Sequence, residues 1–463
     1  MCEKTMKLWD FKRVDEITKG ISSEPWSCSG ISIDTRTLEK GDLFVALVGE
    51  MRDGHGFLQD AAKKGAAAAL VSEAMGVPLP TLCVSDPLKA LEKLGIAARE
   101  RCSATRIAVT GSVGKTSTKD MLYTVFQEQG LTHGSVSSYN NHWGVPLTLA
   151  RMPQETQFGI FEVGMNHPGE IRPLSQMIKP QITIITSVVE CHIEFFQSEE
   201  DIARAKAEIY EGMDEGGSVL LNQDNPHFEL LSKLARAHKL KVFSFGRSEK
   251  ADFRLVSYKG DGEKSAIIAE IRGEQISYTL SVPGIHWAFN SLAVLGVVSL
   301  ANQDVKKAAI SLAIVEVPVG RGKCHKGTFT ILDESYNANP TSMRAALSVL
   351  GQSRGERKIA VIGDMREMGD VAQRRHEELL EPLLENKIDL VFCCGPHMAH
   401  LYERLPAHMK GGYKATSLEL IPLVLDAVMG GDVISVKGSL GTRMRPIVDA
   451  LLVLQKDALK KAS

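Results

Sequence analysis

Residues 108–117 read Ala108-Val109-Thr110-Gly111-Ser112-Val113-Gly114-Lys115-Thr116-Ser117. The apolar run Ile107, Ala108, Val109 has the composition of a buried strand. It stops at a tight glycine loop, and the residues after Lys115 read as a helix. Strand, glycine loop and Lys-Thr at a helix start, in that order, cradle a polyphosphate. Backbone N–H groups and the helix dipole face the anion, the lysine adds a point charge, and the threonine hydroxyl holds Mg²⁺. The spacing is short: only Ser112 and Val113 separate Gly111 from Gly114, where the common phosphate loop has about four residues. The stretch predicts ATP or a relative, bound by Gly111, Ser112, Val113, Gly114, Lys115, Thr116 and Ser117.

Bulk composition narrows the partners. A chain of 463 residues exceeds one ordinary hydrophobic core. With 44% apolar and 24% charged residues it is globular, and a formal net charge of -2 gives no electrostatic ground for nucleic acid or an acidic membrane. Eight cysteines without a C-x-x-C, two of them adjacent (Cys393-Cys394), read as reduced thiols of a cytoplasmic protein. No signal peptide is expected. The apolar tract near 288–301 is interrupted by Asn290 and Ser291, so it reads as a core helix and not a membrane span.

Working outward from the loop, strand-like runs alternate with helical segments, the pattern of a mostly parallel sheet covered by helices. Before the loop, 43–47 and 68–71 read as strands around a helix at 57–64 that Gly65 closes. After it come 158–163, 182–186 and 218–221, then a polar alternating stretch at 253–281 that reads as appended antiparallel hairpins. Beyond Val317-Pro318-Val319-Gly320-Arg321-Gly322, four runs at 329–332, 358–362, 390–393 and 433–436 suggest a second doubly wound sheet. The expected fold is α/β with three domains in series, 1–103, 104–318 and 319–463. The central one is a parallel-sheet domain like that of P-loop ATPases, and the last is Rossmann-like.

Several polar residues fall where strands should end. Glu162 interrupts an apolar run, a costly place for a carboxylate unless it caps a turn or meets a cation such as Mg²⁺. His192 follows the run at 182–189, either structural or functional. Ser198 through Asp201 reads as the cap of a helix over 199–210, on which Ile202, Lys206 and Ile209 share one face. Lys206 then either snorkels to solvent or aims into the nucleotide site, chemically modified or not. His286 and Asn290 share a helical face, Arg321 lies between glycines at a domain entrance, and Lys437-Gly438-Ser439 ends a strand. The segment Asp333-Glu334-Ser335-Tyr336-Asn337-Ala338-Asn339-Pro340 carries more hydrogen-bonding groups than a turn needs. Asn386-Lys387-Ile388-Asp389 spells a guanine-reading string but precedes its strand, the wrong edge for that role.

Together these residues resemble the Mur ligase family, most closely its members that add D-Ala-D-Ala. The resemblance rests on the short loop, Asn140-Asn141 with Gly144-Val145-Pro146-Leu147-Thr148, Phe161-Glu162-Val163-Gly164-Met165, Cys191-His192-Ile193-Glu194 and the Ile202–Ile209 element. It also rests on Ser335 through Pro340, Gly363 through Gly369, Val436-Lys437-Gly438-Ser439, and the opening Asp34-Thr35-Arg36 with Gly41 through Leu47. The chain departs from the family pattern in having Phe195 where glycine is common, Asp333-Glu334-Ser335 before the tyrosine, and a basic stretch after Arg321.

The resemblance implies an ATP-dependent amide ligase joining D-Ala-D-Ala to UDP-MurNAc-tripeptide through an acyl phosphate, for peptidoglycan synthesis. It implies Lys115 on the phosphates, Thr116 and Glu162 on one Mg²⁺, His192 on another, and a carbamylated Lys206 as a further metal ligand. His286, Asn290, Arg321 and Asn337 would contact ATP. Asp34, Arg36, Asn140, Asn141, Tyr336, Asn339, Lys437 and Ser439 would contact the other substrates, with the UDP-sugar on the first domain and the amine on the last. A monomer is expected. The alternatives are another amide ligase of the superfamily and a non-catalytic nucleotide-binding homologue.

Overall fold

The computed structural model describes residues 7–49, 52–73, 76–191 and 193–462. Three α/β units follow one another along the chain, each built on its own sheet. The first sheet runs Ile21–Ser22, Thr81–Cys83, Ala68–Val71, Asp42–Val45, Gly30–Ser32, parallel except for the antiparallel pair at the Ile21–Ser22 edge. The helix Pro87–Glu100 packs beside it. Asp86 caps that helix by accepting from Lys89 N, and proline in the first turn supplies a preset φ.

The middle sheet has nine strands. Thr105–Thr110 lies between Phe158–Glu162 and Ile182–Ile185, with Thr132–Gly134 at one edge and Ser218–Asn222 and Lys241–Gly246 on the other side, all parallel. Phe253–Gly260, Ser265–Ile271 and Glu274–Leu280 extend the same sheet, the last two antiparallel, as the alternating pattern predicts. Period-two alternation fixes both faces. Ile107, Val109, Ile184 and Leu220 face one apolar cluster under the helix Ile285–Leu300, which is the apolar tract read as a core helix. Ala108, Phe161, Ile185 and Leu221 face the other cluster, with Val145, Ile171 and Ile202. Each fully buried side chain of this size contributes about 1.5–3 kcal/mol.

The last sheet runs Lys323–His325, Thr330–Glu334, Val433–Lys437, Lys358–Gly363, Leu390–Cys394, Lys410–Lys414, parallel except for the antiparallel first strand. Parallel strands point all their carboxyl ends one way, and ligands sit in the crevice there. In this molecule the carboxyl ends of Thr105–Thr110 and Phe158–Glu162 face those of Thr330–Glu334 and Val433–Lys437 across one cavity. No described helix is long and apolar enough to cross a membrane, and none of the described cysteines is bridged.

Candidate active site

The glycine loop is shaped by what crowds it. Gly111 has φ +148°, and a Cβ there would fall 1.9 Å from Thr186 Oγ1. Gly114 has φ +85°, and its Cβ would meet Asn290 Oδ1 at 2.8 Å. Only glycine allows both the conformation and the approach. The loop is stitched to the end of the neighbouring strand. Thr186 Oγ1 donates to Val113 O at 2.6 Å, Ser112 N to Ser187 O at 2.8 Å, and Ser112 Oγ to Val189 O at 2.9 Å. The helix Lys115–Gln127 starts at Gly114 with no side-chain cap, so its first amides face the cavity. Lys115 Nζ lies over the loop, donating to Gly111 O at 2.7 Å.

Glu162 is 1% exposed. Its Oε1 accepts from Asn140 Nδ2 at 2.7 Å, while its Oε2, also buried, has no hydrogen-bond partner. A buried carboxylate oxygen left unsatisfied beside a phosphate loop fits a hard cation. Thr116 Oγ1 is 3.4 Å from Ser138 Oγ, so it too has capacity to spare. Among the described residues no three His, Cys, Asp or Glu side chains cluster as a self-sufficient metal site. Mg²⁺ takes one or two protein ligands and completes its shell with water and phosphate oxygens. His192 lies outside the described residues.

Lys206 sits on the helix Glu199–Ala207, capped by Ser198 as the sequence predicts, with Asp201 N donating to Ser198 Oγ at 3.2 Å. It is 2% exposed, so it does not snorkel. Burial pushes its ammonium down to about 8, and the nearby charge of Lys115 acts in the same direction. Lys206 is not among the residues that line the cavity.

The opposite wall comes from the last unit. Lys437 is buried and Glu334 largely so, with side chains 5% and 15% exposed; they lie 3.6 Å apart, and Lys437 Nζ donates to Asn337 O at 2.9 Å. Burial lowers the pKa of Lys437 and raises that of Glu334, while each partly offsets the effect on the other. Ser439 Oγ donates to Ala338 O at 3.3 Å and accepts from Arg366 N at 2.9 Å. The Arg321 guanidinium lies 4.1 Å over the centre of the Tyr336 ring. Beneath them Asp333, fully buried, accepts from Gly320 N, Ser335 N, Ser335 Oγ and Arg445 Nη1. His286 is pushed down to about 4 by burial and by Lys437, so its ring is neutral, and its buried Nδ1 has no partner.

The cavity encloses about 450 Å³. It brings together Ser112 through Ser117, Asn140, Glu162, His286, Asn290, Arg321, Tyr336, Asn337, Asn339, Lys437 and Ser439. Gly111, the first residue of the loop, does not line the cavity. Asn339 also caps the helix Pro340–Gln352, accepting from Ser342 N at 2.8 Å. Outside the cavity stand Asp34 and Arg36, paired with each other at 2.6 Å on the first unit, and Asn141, whose Oδ1 accepts from Gly144 N at 3.0 Å. Sequence reasoning missed Ser138, and it named Glu334 only within its segment, with no role of its own; both line the cavity. It also missed the buried Lys119, outside the lining, which pairs with Asp120 and donates to Ser135 O at 3.0 Å. Lys119 is signalled by its position one turn after Lys115 on a helix that must bury that face. Nothing local marks Ser138.

Comparison with known proteins agrees with this geometry. Three family models match: "Mur ligase family, catalytic domain" at residues 27–86, "Mur ligase middle domain" at 109–298, and "Mur ligase, glutamate ligase domain" at 320–440. A Rickettsia prowazekii UDP-N-acetylmuramoyl-tripeptide–D-alanyl-D-alanine ligase is 36% identical, over 96% of this chain and 99% of its own. The Bacillus subtilis protein of the same name is 32% identical over 95% and 98%. A crystal structure of MurF from Acinetobacter baumannii superposes with a TM-score of 0.84 at 28% identity, covering 96% of this chain and 98% of that one. With a relative this similar over nearly its whole length, a phosphate loop in the middle unit and a facing wall from the last, the chain belongs to the Mur ligase family.

Proposed function

We propose that this chain is the ATP-dependent ligase that joins D-Ala-D-Ala to UDP-MurNAc-tripeptide, giving UDP-MurNAc-pentapeptide for peptidoglycan. One observation carries the reading: a phosphate loop with a half-satisfied buried carboxylate faces a polar wall from the last unit across one cavity, in a chain whose full-length relatives bear that name. ATP belongs to the middle unit (104–318), the UDP-sugar to the first (1–103) near Asp34 and Arg36, and the amine to the last (319–463). The protein works as a cytoplasmic monomer.

The chemistry follows from these groups. The terminal carboxylate of the tripeptide attacks the γ-phosphorus of ATP, forming an acyl phosphate and releasing ADP. The free amine of D-Ala-D-Ala then attacks the acyl carbon. The tetrahedral intermediate collapses to the amide as phosphate leaves, and the amine proton passes to solvent. Lys115 and the loop amides hold the β- and γ-phosphates in line, where positioning supplies much of the rate. Thr116 and Glu162 would hold one Mg²⁺ and His192 another, with a carbamylated Lys206 as a further metal ligand. When bound, the ions offset charge on the transferring phosphoryl group. Burial keeps part of Lys206 as the neutral amine, the form that adds CO₂ and releases a proton to become an anionic carbamate. Asn140 fixes the rotamer of Glu162, Asn290 closes against Gly114, and neutral His286 offers a nitrogen to the nucleotide.

The test is phosphate release from ATP and Mg²⁺ with UDP-MurNAc-tripeptide, with and without D-Ala-D-Ala, and the product identified by mass. Release that needs both substrates and yields the pentapeptide supports the reading. Turnover only with another amine keeps the chemistry and overturns the substrate. Silence with every acceptor overturns the reading. Lys206→Ala should be inactive and partly rescued by short carboxylic acids, and an active variant indifferent to them refutes the carbamate.

A further inference from the structure

Arg375 stands outside the cavity, on the helix Ala372–Glu377 of the last unit. Its guanidinium is shared between two carboxylates. Nη1 donates to Glu378 of its own unit at 2.7 Å, and Nη2 pairs with Glu190 of the middle unit. Both members of the inter-unit pair are only about a quarter exposed, at 23% and 24%. The two carboxylates hold the guanidinium well above its ordinary pKa.

Glu190 is one residue beyond Val189, and Val189 is bonded both ways to the phosphate loop. Ser112 Oγ donates to its carbonyl at 2.9 Å, and its N–H donates to Ser112 Oγ at 3.1 Å. On the other side of Glu190 the same segment is pressed by the last unit. Ile193 packs into the apolar clusters of both units. Glu194 N–H points to Glu367 O at 3.4 Å, and Gly369 rests against the Glu194 backbone. Residues 186–191 and 193–195 are therefore held between the phosphate loop and the last unit, with Arg375 as the charged grip.

We propose that Arg375 is a positioning residue: by gripping Glu190 it couples the seating of the last unit to the shape of the phosphate loop. The grip transmits because it is bidentate at the arginine, one arm anchored in each unit. With the grip lost, the 186–195 segment keeps its apolar contact but loses its charged anchor. The loop that Ser112 and Val189 share is then less ordered before nucleotide arrives. The activity consequence rests on the ligase reading above, while the structural one does not.

The experiment compares wild type with Arg375→Gln, Glu190→Gln and the charge-swapped variant Glu190→Arg/Arg375→Glu, which also carries Glu378→Gln so that the introduced carboxylate meets no second acid. Hydrogen exchange of ligand-free protein, read on peptides covering residues 111–116 and 186–195, needs no substrate. Both single variants should exchange faster there by about tenfold, with peptides of the first unit unchanged, and the swapped pair should recover most of the protection. ATP titration should show about fivefold weaker binding in the singles, recovered in the swap, and ligation should follow as a raised KM for ATP more than a lowered kcat. Singles that match wild type in exchange and in ATP affinity overturn the proposal. So does a swap as loose as the singles. Exchange that behaves as expected in a protein that does not ligate leaves the grip standing and overturns the ligase reading instead.

Discussion

Replacing Lys206 with methionine should make this protein more stable at neutral pH while abolishing its activity. The structure sets the size of the effect. Lys206 is fully buried, and its pKa falls from the ordinary 10.5 to about 8. Each tenfold change in an acid dissociation constant is worth about 1.4 kcal/mol, so the folded state bears roughly 3 kcal/mol for holding this side chain as an ammonium. The sign follows from proton counting. Below pH 8 the group is protonated in both folded and unfolded chains, and the whole cost is present. Between 8 and 10.5 the unfolded chain binds a proton that the folded chain does not, so stability rises with pH. Above 10.5 both states are neutral and the cost has gone. Methionine fills a similar volume without a charge. Chemical denaturation in carbonate-free, Mg²⁺-free buffer should therefore show the variant ahead by about 3 kcal/mol at pH 7, with the gap closing as pH rises towards 10.5. Adding bicarbonate should stabilise wild type and leave the variant unchanged. A methionine variant no more stable than wild type at pH 7, or a gap that ignores pH, refutes the reasoning.

Lys115→Ala should lower ligation by about 10²–10³-fold with the fold intact, measured as phosphate release, because the lysine is the cation nearest the loop. Gly111→Ala forces a Cβ to within 1.9 Å of Thr186 Oγ1. It should cost on the order of 2 kcal/mol and weaken ATP binding, checked by denaturation and nucleotide titration. Asp333→Asn turns an acceptor facing Gly320 N–H and Arg445 into a donor. It should destabilise the last unit by about 3 kcal/mol, read from its melting transition, and raise the KM for ATP through the displaced Arg321.

The parts legible in the sequence are those whose physics is local or periodic. Thr105–Thr110, Ile182–Ile185, Lys358–Gly363 and Val433–Lys437 are nearly continuous apolar runs because central parallel strands are buried on both faces. Lys206 was legible because Ile202 and Ile209 fix the face it shares. Edge strands carry no such signature. Lys410–Lys414 reads Lys-Gly-Gly-Tyr-Lys and becomes a strand only by pairing beside Leu390–Cys394, and Lys323–His325 and Thr132–Gly134 are three residues each. Asn141 entered with Asn140 through the resemblance to a family segment, and the turn that carries them sends one side chain to Glu162 and the other to a helix start. Ser138 and the Arg375–Glu190 grip depend on contacts between distant segments, which no window of sequence contains.

The two walls of the cavity are not electrically alike, and the difference assigns their work. In the last unit the charges are already answered: Lys437 meets Glu334 at 3.6 Å and Asn337 O at 2.9 Å, and Asp333 holds four donors. Those pairs can close over a ligand without burying an unpaired charge, while Arg321, stacked on Tyr336, stays available to an anion in the cavity. In the middle unit the accounts stay open: Glu162 Oε2 has no partner, Lys115 rests only on carbonyls, and the first amides of Lys115–Gln127 are uncapped. Groups left unsatisfied in a buried site are costly until a complementary ligand arrives. The complement of one cation, a row of amides and a bare carboxylate oxygen is a polyphosphate with a divalent ion. On the proposed reading the highly charged nucleotide therefore meets the middle wall, and the paired charges of the last unit help shut water out when the units meet.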